Sequence, residues 1–273
     1  MSEASIYREN TVEANGIRIY YREMGSGDPL LLIMGLGGNV DWWTPKFLKS
    51  LASRYHVVAF DNRGAGRSEK PPGPYSIPQM ADDAAALMDR LGWSSAHVLG
   101  MSMGGMIAQE LALQHPERVR KLVLLVTTCG GPEQVPASPE VLQVLYSPKE
   151  GISPEVIARS TLYLLYPRKY IEENPGKMEE VVKAMLLAPI PPAAFALQLA
   201  AIINWSSHSR LKDIHNPTLI ITGSEDILIP PENSRILARA IPNSRLVEYP
   251  GGGHGLIGQF PVEVAGEIAA FLG

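Results

Sequence analysis

The segment Gly100-Met-Ser102-Met-Gly104 is the clearest sign of chemistry in this sequence. It directly follows the short apolar run Ala96–Leu99, which predicts a strand, and directly precedes an apolar-periodic stretch that predicts a helix ending near His115. A sharp strand-to-helix turn exposes a serine as a nucleophile, and the flanking residues must be small for the chain to pass. Ser102 is therefore predicted to be a nucleophile in acyl transfer.

A serine needs a base to take its proton. Of the six histidines, His254 lies in the loop Gly251-Gly-Gly-His-Gly255, after the predicted strand Arg245–Tyr249 and at the edge where parallel strands end. We therefore predict His254 as the base. The other five are interpreted as structural or solvated: His56, His97, His115, His208 and His215.

The base in turn needs an acid that orients it. Asp226 ends the loop Gly223-Ser-Glu-Asp226 after the predicted strand Thr218–Thr222. Glu225 in the same loop and Asp61, which also follows a strand, are the rival carboxylates. We favour Asp226, because the order Ser102, Asp226, His254 is the order used by nucleophile-elbow hydrolases.

Short strands alternate with helices on both sides of the chain's middle, which predicts a mostly parallel sheet with helices on both faces. Between residues 131 and 211 the pattern changes to proline-interrupted helical segments. We interpret residues 1–130 and 212–273 as one α/β core domain and residues 131–211 as a helical cap inserted in it. Such an insertion is expected over the carboxyl ends of the strands, where open α/β sheets bind ligands.

These motifs resemble the α/β-hydrolase superfamily, and the resemblance covers essentially the whole chain outside the insertion. Asp61-x-Arg-Gly-x-Gly-x-Ser68 resembles the family's turn after its fourth strand. The resemblance implies the α/β-hydrolase fold and an oxyanion hole formed by the backbone N–H groups of Leu36 and Met103. The sequence departs from the family where a His-Gly pair is common, because Met34-Gly35 stands there and a polar group that would help fix the loop is lost. We expect Asp61 and Arg63 to hold their turn by local hydrogen bonds and a salt bridge.

Composition limits the partners and the cellular setting. The net charge is −4 and the pI about 5.9, which gives no excess of basic residues for nucleic acid or an anionic membrane. The segment Lys183–Arg210 carries no charge between its ends, but prolines leave an apolar run too short to span a bilayer. The single Cys129 and a Met1–Asn10 segment without a secretion signal favour a cytoplasmic protein.

No cofactor or metal is predicted. Gly35-Leu-Gly37 follows a strand, but Val40 stands where a dinucleotide-binding loop needs its third glycine. No His, Cys and carboxylate cluster has metal-ligand spacing, and Asp82 and Asp83 are expected to be solvated on a helix.

We expect a carboxylesterase acting on small, mainly apolar esters through an acyl-enzyme on Ser102. Its pocket is expected to use apolar side chains of the insertion and of the segment after Gly38, namely Trp42, Trp43, Met185, Leu186, Leu187, Phe195, Leu199 and Trp205. Enol-lactonase or carbon-carbon bond hydrolase activity is the alternative, and a ligand receptor on the same fold is a third hypothesis. The oligomeric state and the physiological substrate stay open.

Overall fold

A computed structural model describes residues 7–273. Residues 1–6, part of the segment on which the prediction about secretion rests, lie outside the described residues. Eight strands form one sheet in the order β1-β2-β4-β3-β5-β6-β7-β8. Their bounds are β1 Arg8–Ala14, β2 Ile17–Met24, β3 Asp28–Ile33, β4 Tyr55–Phe60, β5 Ala96–Met101, β6 Val119–Leu125, β7 Thr218–Gly223 and β8 Ser244–Tyr249.

The sheet is mostly parallel, as predicted. β2 runs antiparallel to both of its neighbours, while β4, β3, β5, β6, β7 and β8 are parallel to one another. β5 and β7 are buried along their whole lengths, which is typical of strands covered on both faces. β1 was not predicted, because its alternating polar residues lie at the sheet edge and leave little apolar signal.

Helices cover both faces of the sheet and divide its core in two. One core cluster joins the sheet to α2, α3 and α9, and the other joins it to α1 and α11. The bounds of the core helices are α1 Pro45–Ala52, α2 Ile77–Arg90, α3 Met103–Gln114, α9 Glu232–Ala240, α10 Leu256–Gln259 and α11 Pro261–Leu272. The predicted mostly parallel sheet with helices on both faces is confirmed.

Five further helices, here called the cap helices, lie between β6 and β7. Their bounds are α4 Pro139–Tyr146, α5 Pro154–Leu165, α6 Arg168–Glu173, α7 Pro175–Leu186 and α8 Pro192–Ile203. α5 and α7 share a small core of their own. The two ends of this insertion meet, because Gly130 bridges to Ser206 and the Ser207 N–H donates to the Cys129 carbonyl at 2.9 Å.

The helices of the structure can be compared with the length and apolar character of a membrane span. Among residues 7–273, no helix combines the length and the apolar character that crossing a bilayer requires.

Candidate active site

Ser102 lies at the junction of β5 and α3 in a strained backbone conformation. Its φ of 57° and ψ of −122° are values that an L residue adopts only when its surroundings enforce them. Close packing around the turn enforces this conformation. A Cβ at Gly104 would collide with the Ile33 carbonyl, and a Cβ at Gly100 would collide with the Gly104 carbonyl. The two glycines of the motif are therefore required by the turn that presents Ser102.

His254 and Asp226 form a buried pair at the ends of the last two strands. His254 Nδ1 lies 2.7 Å from Asp226 Oδ2, and each residue is only 3% exposed. Asp226 Oδ1 accepts the N–H groups of Leu228 and Ile229 at 2.9 and 2.8 Å, which fixes the carboxylate. Because Nδ1 faces this carboxylate, the ring is oriented with Nε2 free to act on another group.

The rival carboxylates lie elsewhere. The Glu225 side chain is exposed to solvent. Asp61 is fully buried, and its two oxygens accept the N–H groups of Val40 and Arg67, both at 2.7 Å. Burial raises the pKa of Asp61 above its ordinary value, against the effect of these two donors. Asp61 therefore has a structural role in its turn.

Ser102 and His254 line one cavity of about 640 Å³. Among the described residues, the Ser102 hydroxyl makes no hydrogen bond to the ring. Such bonds are often long in serine hydrolases without substrate and tighten in the reacting complex. The arrangement can perform base-assisted attack by the serine once the two groups are in contact.

The loop after β3 passes directly over Ser102. A Cβ at Gly35 would lie 2.9 Å from Ser102 Cβ, so this loop and the serine are in contact. Leu36 and Met103 both line the cavity, and neither N–H donates to another group within residues 7–273. These two N–H groups are thus available to donate to a group bound in the cavity.

Hydrogen bonds hold this loop on both sides of Leu36, although Met34 occupies the position of the common histidine. Asn62 Nδ2 donates to the Met34 carbonyl at 2.8 Å. The Gly37 N–H donates to Gln198 Oε1 at 2.9 Å. The buried side chains Asn62 and Gln198 therefore provide polar support, and sequence reasoning missed both. A signal for Gln198 was present, since it is the only hydrophilic residue in the apolar run Ala193–Ile203.

Two expectations near the Asp61 turn were wrong. Arg63 pairs with Asp83 at 2.6 and 2.5 Å instead of forming a salt bridge within the turn. Asp83, expected to be solvated, is 1% exposed and also accepts a hydrogen bond from Asn15 at 2.7 Å. Because α2 packs its inner face on the core, the charge of Asp83 is buried where Arg63 neutralises it.

The cavity is lined mainly by apolar side chains from the cap helices and from the loop after β3. Of the predicted pocket residues, Trp42, Met185, Phe195 and Leu199 line it.

Trp43 and Trp205 were wrongly assigned and lie in the core. Trp43 stacks on Phe47, while Trp205 Nε1 donates to buried Glu110 at 2.8 Å. Leu186 packs in the cap core and Leu187 is 64% exposed to solvent.

The remaining histidines lie outside the cavity and have other partners or surroundings. His56 pairs with Glu23, His115 with Asp82 and His208 with Glu133. Within residues 7–273, no group of three or more His, Cys, Asp or Glu side chains is arranged to hold a metal ion.

The fold and the arrangement of this site are typical of a class of hydrolases, and comparison with known proteins supports the same class. Residues 28–261 match the α/β-hydrolase fold family, and the chain belongs to it. A putative carbamate hydrolase RutD from Azorhizobium caulinodans is 35% identical over 237 residues, covering 86% of this chain and 88% of that protein. A poly(3-hydroxyalkanoate) depolymerase from Ectopseudomonas oleovorans is 35% identical over 218 residues, covering 80% and 75%.

Among solved structures, a thermophilic esterase from Thermogutta terrifontis superposes with a TM-score of 0.83 at 27% identity. The match covers 97% of this chain and 98% of that chain. Together with the family match, these relatives support a hydrolase.

Proposed function

We propose that this protein is a serine hydrolase that cleaves carboxylic esters through an acyl-enzyme on Ser102. The observation that carries the proposal is the buried Asp226–His254 pair, 2.7 Å apart, which shares an apolar cavity with a serine held in a strained turn. We expect the protein to work in the cytoplasm, for which the single buried Cys129 is the support.

The proposed reaction has two halves. Ser102 Oγ attacks the ester carbonyl while His254 Nε2 takes its proton, and Asp226 stabilises the resulting imidazolium. The N–H groups of Leu36 and Met103 donate to the oxyanion. When the carbon-oxygen bond breaks, the alcohol leaves with the proton from His254. A water molecule then repeats the sequence on the acyl-enzyme and releases the acid.

The cavity favours an ester with an apolar acyl or alcohol group. Its volume of about 640 Å³ falls within the usual range for small-molecule sites, and its lining from the cap is mainly aliphatic and aromatic. A simple carbamate would leave most of this apolar surface unfilled. The similarity to a protein named as a depolymerase of a polyester supports ester bonds as the substrate. A lactone is a cyclic ester and would follow the same steps.

The test is steady-state hydrolysis of 4-nitrophenyl acetate, butyrate and octanoate by the purified protein. We expect turnover that rises from acetate to the longer chains and that falls by about 10⁴-fold or more in Ser102→Ala. Ser160→Ala is the matched control, because Ser160 lines the same cavity and its hydroxyl donates to the Ile157 carbonyl.

Three results would count against the proposal. Equal loss in the two serine variants would reject Ser102 as the nucleophile. No ester turnover, with hydrolysis of an acyl lactone instead, would move the substrate class to lactones. No turnover of either substrate would reject the proposed cleavage of esters.

A further inference from the structure

The side chain of Gln198 joins the cap to two backbone groups of the core. It lies in α8, is fully buried, accepts the Gly37 N–H at 2.9 Å and donates to the Arg63 carbonyl at 2.8 Å. The neighbouring positions of α8 that face the core are small, namely Ala194 and Ala201. The amide is thus the polar contact of an otherwise apolar helix with the loops after β3 and β4.

Gly37 directly follows Leu36, whose N–H is one of the two proposed oxyanion donors. On the other side of Leu36, Asn62 holds the Met34 carbonyl, and further along the loop Asp61 holds the Val40 N–H. Asn62 and Asp61 belong to the core itself. Of the side chains of residues 7–273 that hydrogen-bond to the backbone of this loop, Gln198 is the one on a cap helix; the loop's own Asn39 side chain also donates to the Ala188 carbonyl of the insertion at 2.8 Å.

The flank of α8 beside this buried stripe lines the substrate cavity through Phe195, Leu199 and Ile202. Phe195 also contacts the loop, since a Cβ at Gly37 would lie 3.2 Å from its ring. One helix therefore touches both the cavity in which substrate would bind and the backbone beside the oxyanion donor.

We propose that Gln198 is a positioning residue. Through its hydrogen bonds, the geometry of the oxyanion hole depends on how α8 packs against the core loops. The inference rests on the proposed function, because it assigns Gln198 a role in stabilising the oxyanion of that reaction. Its effect is exerted in the transition state, where the donor must lie at hydrogen-bond distance from the developing charge. A purely structural amide would instead affect folding and leave the turnover of folded protein unchanged.

The test compares Gln198→Met with Gln109→Met. Gln109 is also fully buried, and it joins α3 to the end of the insertion by accepting the Ser207 hydroxyl at 2.8 Å. The same substitution there removes buried hydrogen bonds without touching the loop after β3. For both variants, kcat and KM are measured with 4-nitrophenyl butyrate, together with inhibition by an alkyl trifluoromethyl ketone, whose adduct with a serine carries an oxyanion.

We expect Gln198→Met to lower kcat by about tenfold or more, below the 10²- to 10³-fold loss seen when an oxyanion donor is removed outright. KM should change by less than about threefold, and ketone binding should weaken by the same factor as kcat/KM falls. Gln109→Met should keep kcat within about twofold of the wild type. If Gln198→Met does not fold, Gln198→Asn shortens the side chain by one methylene and carries the same expectations.

The inference is overturned if the folded Gln198 variant keeps wild-type kcat, if its loss is confined to KM, or if Gln109→Met loses kcat equally. These results are distinct from a failure of the proposed function, which would appear as absent ester turnover in the wild type. In that case the premise of the inference falls as well.

Discussion

The strand-end loops of the core and the cap helices contribute to the same cavity by different physical means. The core contributes polar groups, among them His254, which is held by Asp226, a carboxylate that itself accepts two backbone N–H groups. The cap contributes mostly apolar side chains, and it exposes others to solvent, such as Val156 and Tyr163 at 57% and 60%. Chemistry requires fixed dipoles, whereas selection of an apolar substrate requires volume and apolar surface. We therefore expect changes in the core loops to alter kcat, and changes in the cap to alter the preference among substrates.

The largest expected effect is that of Asp226→Asn on ester turnover. An amide cannot stabilise the imidazolium and favours the wrong ring tautomer, so kcat should fall by about 10⁴-fold. Glu225→Gln is the control, because that exposed carboxylate is the rival acid of the same loop. A loss in the Glu225 variant with activity retained in Asp226→Asn would reverse the assignment of the acid.

Asp83→Ala is expected to have the next largest effect, on stability. The change leaves the buried guanidinium of Arg63 without its partner, which should lower the free energy of unfolding by about 3–5 kcal/mol. Asp82→Ala next to it removes a side chain that is 52% exposed and should change stability by less than about 0.5 kcal/mol. Urea unfolding measures both, and equal values would show that the buried ion pair is unimportant.

A smaller and pH-dependent effect is expected at Glu110, which ties α3 to the end of the insertion. Burial raises the pKa of Glu110, but hydrogen bonds from Arg210 and Trp205 outweigh it and hold the pKa below its ordinary value of 4.5. A folded pKa below the unfolded one means that the stabilisation is complete above about pH 4.5 and is lost as the pH falls through the folded value.

Glu110→Gln should therefore lower the free energy of unfolding by about 2 kcal/mol at neutral pH and by progressively less in acid. Urea unfolding at several pH values tests this. A cost that does not decrease as the pH falls below 4.5 would contradict the charge-dependent explanation.

The smallest expected effect belongs to the cap. Leu199→Ala enlarges the cavity without removing a polar group, so kcat/KM for the octanoate ester should change by about tenfold relative to that for the acetate ester. Leu187→Ala is the control, because that leucine is 64% exposed. An equal change for acetate and octanoate would contradict the division between the two regions.

The sequence predicted those parts of the site that depend on local order along the chain. Ser102 was found because two glycines around a serine form a short, steric pattern. Asp226 and His254 were found because carboxyl ends of parallel strands meet at one edge, and the structure brings these two together. The oxyanion, nucleophile and base roles themselves stay predictions for the experiments above.

The parts that were missed depend on contacts between distant segments. Gln198 meets Gly37 across 161 residues, and no local pattern marks which buried amide of a helix finds which loop. Trp205 was placed in the pocket because composition cannot tell which face of an apolar segment meets the cavity, whereas its indole N–H bonds to Glu110 in the core. Asp83 was expected in solvent because its partner, Arg63, belongs to another element.

The meeting of the insertion's two ends has a consequence for how such proteins diversify. Because Gly130 and Ser206 are bridged, the cap leaves and re-enters the core at nearly one point, so a segment of different length can replace it with little strain on the sheet. An exchange of this kind would join a different substrate pocket to the existing core in a single recombination event. If Gln198 has the proposed positioning role, a hybrid whose incoming segment lacks an equivalent amide is expected to turn over its substrate slowly.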